Sequence, residues 1–401
     1  MHHAAVLESV GRIATQHRHS SLFSAEFDFL TRCCSSRGSA GRREFAGATD
    51  IDWERLIRLA DHHGLIPRVH EAVSAAPDAM PSHCFEELRR HSLDKARRAL
   101  SLTSELVRIV EHVESCGVEV LPYKGPILAQ SLYGNVTLRQ YGDLDLLVRV
   151  RDVARAKAAL VELGYKTKLE LSPQQERAYL QSGYEYTFDS AYGRNAVELQ
   201  WRILPRFYAI SFDVEGFFRR AVSMDLGGRK FRSLCPEDLF LVLCVHAAKH
   251  AWAQVSWLCD IVELAYSQSI DWDLVEANAS QLGIERIVAI TGWLARELLG
   301  RTLPVEGKWR DDPDARSIAR AILPTIVEGE HCDPAPASHF AMMIRARGRW
   351  RDRAQLLSRL AFTPTAGDWS AMRLPAALFP LYRVVRLARL AHKLFQGKLF
   401  C

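Results

Sequence analysis

Three absences narrow the field before any motif is read. The chain holds no Cys-x-x-Cys, and its nine cysteines, an odd number, are scattered from Cys33 to Cys401. That argues against a zinc module or a disulfide framework and points to a reducing cytoplasm. No run approaches the roughly 18 uncharged apolar residues of a membrane-spanning helix. The opening MHHAAVLESVGRIATQHRHS also lacks the apolar core of a secretory leader. No repeat or low-complexity tract breaks the chain into modules.

What is present is ordinary globular material. The 401 residues are 48% hydrophobic and 25% charged, enough for two or three domains with full cores. Charge is unevenly placed. Residues 341–401 hold twelve Lys/Arg against Asp352 and Asp368, a balance of +10, which leaves the first 340 residues at −5 out of the total of +5. Within the run LYRVVRLARLAHKLF, Arg383, Arg386 and Arg389 recur every three residues, followed by Lys393. Such a run could lie on a membrane surface or an acidic partner; the plainer reading, which is favoured, docks it on its own domain with a solvated basic face.

Periodicity organises the rest. Residues 1–20 read as a weak helix and 35–49 as a mobile loop. Asp52 fits the N-cap of WERLIRLADHH, which Gly64 stops, and His62-His63 read as surface residues. A long helix is expected over 85–115, with Leu88, Leu93, Leu100, Leu102, Leu106, Ile109, Val110 and Val113 on one face. From 117 the texture alternates. GVEVLPYK reads as a strand, PILAQSLY as a helix, DLDLLVRV as a strand, and DVARAKAALVELGY as a helix opened by Asp152. EYTFDSA and NAVELQWRI form a hairpin across Tyr192-Gly193-Arg194. From 236 helices return, PEDLFLVLCVHAAKHAW first, and 301–340 reads as proline-rich and looser.

The chemistry lies in the alternating part. A strand period of two sets Asp143 and Asp145 on one face of DLDLLV, about 7 Å apart, with Leu144, Leu146 and Val148 on the other. Two carboxylates so placed are costly without a cation between them, and Mg²⁺ suits one or two carboxylates plus phosphate oxygens. In VELQWRI the apolar Val197, Leu199, Trp201 and Ile203 leave Glu198 on the polar face, so a neighbouring strand would complete a three-acid cluster. Each feature alone is weak, since edge strands often carry outward acids. Their order after a strand–glycine–helix unit is what gives them weight.

These residues resemble a family of uncharacterised bacterial nucleotidyltransferases within the polymerase-β-like superfamily. The likeness runs through Asp52-Trp53, Lys124-Gly125, Leu132-Tyr133-Gly134, Arg139, Asp143-x-Asp145, Gly164-Tyr165 and Glu198-Leu-Gln-Trp201. It continues through His246 to His250, Trp257, Asp260, Pro364-Thr365 and Asp368-Trp369. It implies an α/β (α+β) core with a small mixed sheet, flanked by N-terminal and C-terminal helical regions. The expected divisions are an N-terminal helical region at 1–116, a catalytic core at 117–235, a helical region completing the cleft at 236–300, and a proline-containing linker with basic helices at 301–401. The resemblance further implies transfer of a nucleoside monophosphate from an NTP, with release of pyrophosphate. Asp143, Asp145 and Glu198 would be the metal and base set for Mg²⁺ or Mn²⁺, Gly125 the phosphate turn, and Lys124 and Arg139 the phosphate-neutralising cations. His246, Lys249 and His250 would present a polar face to the nucleotide. Pro126 stands where the superfamily often has a small hydroxyl residue, and 18 residues separate Gly125 from Asp143, a longer spacing than usual. The glutamate of a zinc-protease helix is Ala247 here, which argues against metal on the histidines. A buried histidine satisfied by Asp260 is the structural alternative.

The acceptor stays open between a small molecule, a peptide and a protein, with tRNA less favoured because few aromatics interleave the basic tail. A rival from another class is a non-catalytic module that docks on an acidic partner or a membrane surface through residues 381–395.

Overall fold

The computed structural model describes residues 23–35, 51–76, 79–190, 196–304, 309, 311–329, 336–372 and 374–395. The helix expected at 1–20, nearly all of the 35–49 loop and the 192–194 turn lie outside them. Helices α1 (Ala25–Ser35), α2 (Trp53–His62) and α3 (Ile66–Ser74) lead into the 34-residue α4 (Ser82–Ser115). Asp52 caps α2 by accepting the Arg55 N–H, and Gly64 ends it at φ +70°.

Two expectations fail in this region. His63 is fully buried, its Nδ1 accepting the Val255 N–H at 3.4 Å, so it is a core residue. Leu93 and Leu100 are 43% and 55% exposed. They stand about 120–140° round the helix from Leu88 at 100° per residue. α4 bridges two hydrophobic cores, with Leu88 in one and Leu102, Leu106 and Ile109 in the other, and its middle faces water.

The sheet follows. Its elements are β1 (Val120–Pro122), α5 (Gly125–Tyr133), β2 (Asp143–Val148), α6 (Val153–Glu162), β3 (Lys166–Thr167), α7 (Pro173–Ser182), β4 (Glu185–Asp189) and β5 (Ala196–Gln200). The order is β1-β2-β5-β4-β3, with β2 and β5 parallel and the other pairs antiparallel, which makes the small mixed sheet expected of an α/β core. Asp152 stands at the N-cap of α6 without capping it; its carboxylate bonds Arg155 instead. Leu144, Leu146, Val148, Val197 and Leu199 pack in one core, while Leu121, Tyr123 and Leu147 pack in the other. The sheet therefore separates two cores, and the face that starts with Asp143 and Asp145 is apolar by Leu147. Ile203 joins that second side because β5 ends at Gln200, before the alternation reaches it.

Beyond the sheet come α8 (Val214–Arg220) and a separate hairpin of β6 (Val222–Leu226) and β7 (Arg229–Ser233), turned by Gly227 and Gly228 at positive φ. Next are α9 (Pro236–Lys249), α10 (Val255–Ser267), α11 (Trp272–Leu282) and α12 (Glu285–Leu299). α9 stops three residues short of the expected Trp252. Ala251 and Trp252 adopt φ +51° and +52°, and the buried Trp252 indole donates to Thr291 at 3.0 Å.

The 301–340 segment, expected to be loose, holds α13 (Pro313–Glu328) and the start of α14 (Pro336–Ala346). Pro313 sits in the first turn, where its missing N–H costs nothing, and Asp312 caps the Asp314 and Ala315 N–H groups. The chain ends in α15 (Trp350–Phe362), α16 (Ala366–Ala371) and α17 (Tyr382–Phe395). α17 docks on its own domain, but not with a wholly solvated basic face. Arg386 and Arg389 turn inward to the buried Asp368, while Leu381, Val384 and Leu387 are exposed. Among the described residues no helix is long and apolar enough to cross a membrane.

Candidate active site

β1 runs into Tyr123 and Lys124, and the chain then turns at Gly125 with φ +54°. A Cβ at this position would sit 3.4 Å from the Asp143 carbonyl oxygen, so glycine suits both the conformation and the close approach. Pro126 occupies the first turn of α5, whose early N–H groups have no helical partner. β2 lies alongside, and β5 sets Glu198 in register with Asp145 on the adjacent strand. Lys124, Gly125, Arg139, Asp143, Asp145, Glu198, His246, Lys249 and His250 all line one cavity of about 310 Å³. Long-range pairing thus brings the residues expected to hold metal, phosphate and nucleotide onto one cavity.

The acids are crowded. Asp145 is 4% exposed and accepts from Lys124 Nζ at 3.0 Å and Gln200 Nε2 at 3.3 Å. Burial, then repulsion from Asp145, pushes the Asp143 carboxyl up to about 6. Burial, then Asp145 and Glu185, pushes Glu198 up to about 7. Burial alone would lower the Lys124 ammonium, but Asp145, Asp143 and Glu198 outweigh it and hold it above its ordinary value. The Gln200 amide also donates to Glu198 at 2.9 Å and to Glu185 at 3.3 Å, while the Tyr123 hydroxyl donates to its carbonyl oxygen. Gln200 and Tyr123 were not singled out beforehand. The signal for Gln200 was its place two residues after Glu198, on the same strand face.

Arg139 and the histidines need a closer account. Arg139 Nε lies 2.8 Å from Asp260 Oδ2, and the Tyr133 hydroxyl bonds the other oxygen at 2.8 Å. Asp260 therefore satisfies an arginine and a tyrosine, not a histidine. His246 Nδ1 faces Lys124 Nζ at 3.3 Å; burial, then that ammonium, holds the ring well below its ordinary value and so neutral. Burial, then Lys249, lowers His250 to about 3. Both rings pack on Trp257 with centroids 5.3 Å away.

As a donor set, Asp143, Asp145 and Glu198 offer hard oxygens that repel one another, and these fit a hard divalent cation. They do not close into a tight cage. The described group whose ligand atoms all lie within 4.8 Å of one another is His112, Cys116 and Glu162, elsewhere on the molecule. An open carboxylate site that leaves positions for phosphate oxygens is what Mg²⁺ chemistry uses.

Among solved structures, ANT(2″)-Ia in complex with adenylyl-2″-tobramycin is similar at 12% identity and a TM-score of 0.34, over 45% of this chain and 97% of that one. The solution structure of the antibiotic-resistance factor ANT(2″)-Ia is similar at 13% and 0.33, over 45% and 91%. An antigenic nucleotidyltransferase-like protein from Paracoccidioides brasiliensis is similar at 12% and 0.29, over 52% and 94%. No curated protein matches the chain. Residues 49–300, well over half of the sequence, match the profile of a family described as uncharacterised nucleotidyltransferase. On that match the chain belongs to this nucleotidyltransferase family.

Proposed function

We propose that the chain is a metal-dependent nucleotidyltransferase that moves an NMP group from an NTP to an acceptor hydroxyl or phosphate and releases pyrophosphate. The observation that supports it best is the convergence of three mutually repelling acids, a glycine turn at a helix start and two buried cations on one cavity. Asp143, Asp145 and Glu198 are the residues that would hold Mg²⁺ or Mn²⁺, which when bound neutralises phosphate charge and polarises the attacking oxygen. The backbone at Gly125 and the first turn of α5 would face the phosphates. Lys124 would leave Asp145 for a phosphate oxygen, and Arg139, anchored by Asp260, would keep its remaining N–H groups toward the same charge. Glu198, held above the usual carboxylate range, suits the role of proton acceptor from the incoming hydroxyl. Neutral His246 and His250 would contribute hydrogen bonds and ring surface without adding charge.

The test is calorimetric titration of the four NTPs, with and without Mg²⁺, into wild type and Asp145→Asn. Metal-dependent binding of one NTP, lost in the variant, is the expected result. Absence of binding by any NTP would favour the docking module instead. That rival draws on Pro126 beside the glycine turn, on the outward Leu381 just before the basic α17, and on the outward Val384 and Leu387 within it.

A further inference from the structure

A second cavity of about 540 Å³ lies against the site. Lys249 lines both spaces. Its walls include the rings of Tyr179, Tyr184, Tyr186, Phe207 and Tyr208, and Glu185 lies among them. Glu185 shares the Gln200 amide with Asp145 and Glu198, so one hydrogen-bonded side chain spans the boundary. Thr187, on the wall, is in register with Glu198 on the neighbouring strand.

We propose that this second cavity is the acceptor site and that the acceptor is a small hydroxyl compound built on a planar ring. The proposal rests on the nucleotidyltransferase reading above. The volume fits one drug-sized ligand, and walls rich in aromatic residues favour flat apolar bodies. A polyanion is disfavoured. Lys168 on the wall is paired with Asp189 at 3.2 Å, and Glu185 opposes Lys249. A larger recess of about 800 Å³ meets the cleft from the opposite side at Gln140 and Gln254. It lies toward the Arg139 end, whereas the ring-walled cavity adjoins Glu198. In the transfer, the acceptor oxygen bonds the α-phosphorus, the bond from that phosphorus to the pyrophosphate oxygen breaks, and the hydroxyl proton passes to Glu198.

The C-terminal segment supplies the outer wall through Thr363, Pro364, Thr365 and Gly367. Thr365 is held by Asp368, which accepts its backbone N–H at 2.7 Å and its hydroxyl at 2.8 Å. Arg386 and Arg389 of α17 grip the same carboxylate. The Pro364-Thr365 and Asp368-Trp369 pairs, which lie beyond the matched residues 49–300, thereby gain a role: they position this wall.

The test is saturation-transfer NMR on the full chain with NTP and Mg²⁺, using phenols, hydroxyindoles and nucleosides, with glycerol and simple sugars for comparison. Mass spectrometry follows for addition of the NMP group. Ring compounds should bind, and at least one should gain the NMP mass. Ser182→Trp, which fills the cavity, and Phe207→Ala, which removes a wall, should each weaken binding about tenfold or more. The proposal is overturned if no ring compound binds, if both variants bind as wild type does, or if only the ring-free polyols are modified. Calorimetry on the same samples separates the two readings: ring binding without NTP binding defeats the transferase assignment, whereas NTP binding without ring binding defeats the acceptor site alone.

Discussion

Asp143 and Glu198 are held above their ordinary range, to about 6 and about 7, by burial first and by neighbouring carboxylates second. Between roughly pH 4 and pH 7 the folded protein therefore binds more protons than the unfolded chain, so these two groups lower stability as pH rises through that window. Asp143→Asn and Glu198→Gln should each raise the melting temperature at pH 8, by on the order of 1–3 kcal/mol in stability, and change little at pH 4. Thermal melts at the two pH values check this; wild type melting above both variants at pH 8 would refute it. Asp145→Asn should behave differently, because it strips the buried Lys124 of its partner. Both Asp variants should lose turnover. Gly125→Ala sets a second residue-scale test. Its left-handed backbone costs an L side chain about 1–2 kcal/mol, and the added methyl approaches the Asp143 carbonyl. Lower stability with weaker NTP binding is the expected pairing, read from melts and titration.

At the scale of elements, the buried Arg139–Asp260 pair ties the segment before β2 to α10, and Tyr133 adds the end of α5. Arg139→Met leaves a buried carboxylate behind and should cost about 3–5 kcal/mol in denaturant unfolding. Arg139→Met with Asp260→Leu should recover much of that loss. If the double variant also binds NTP as wild type does, Arg139 has a purely architectural part. None of this pairing was legible in the sequence, since Arg139 and Asp260 are 121 residues apart. Local features were legible: the strand–glycine–helix turn, the Asp-x-Asp alternation, and the cap at Asp52. Glu198 was legible as a polar-face residue, but its place beside Asp145 depends on a parallel crossover that no local pattern encodes. His63 read as surface and α1 went unread because burial by distant helices leaves no trace in spacing. The 301–340 helices were masked by prolines: Pro313 sits where a helix start tolerates it, while Pro324 lies inside α13, which packing on α12 holds together.

At the scale of the whole molecule, the question is what the basic tail is for. A solvated arm could be removed without loss, but this tail reaches both cores. Leu356 of α15 is buried in the core that holds α9–α13, and Trp369 and Tyr382 are buried in the core beneath the sheet. α15 also packs on the 206–208 turn, whose Phe207 and Tyr208 wall the ring-lined cavity. Arg386 and Arg389 turn inward to share Asp368, so two of the twelve basic side chains of this segment serve packing and not an outward basic face. Deleting residues 350–401 should therefore destabilise the rest. Three buried side chains at about 1.5–3 kcal/mol each amount to roughly 5 kcal/mol or more. At ~2–4 °C per kcal/mol this lowers the melting temperature by on the order of 10 °C. A truncated protein that melts like the full chain, but no longer binds vesicles of anionic lipid that the full chain bound, would make the tail a docking arm. A large drop in melting temperature, with NTP titration still measurable below the transition, would make it a clamp that closes the acceptor side of the cleft.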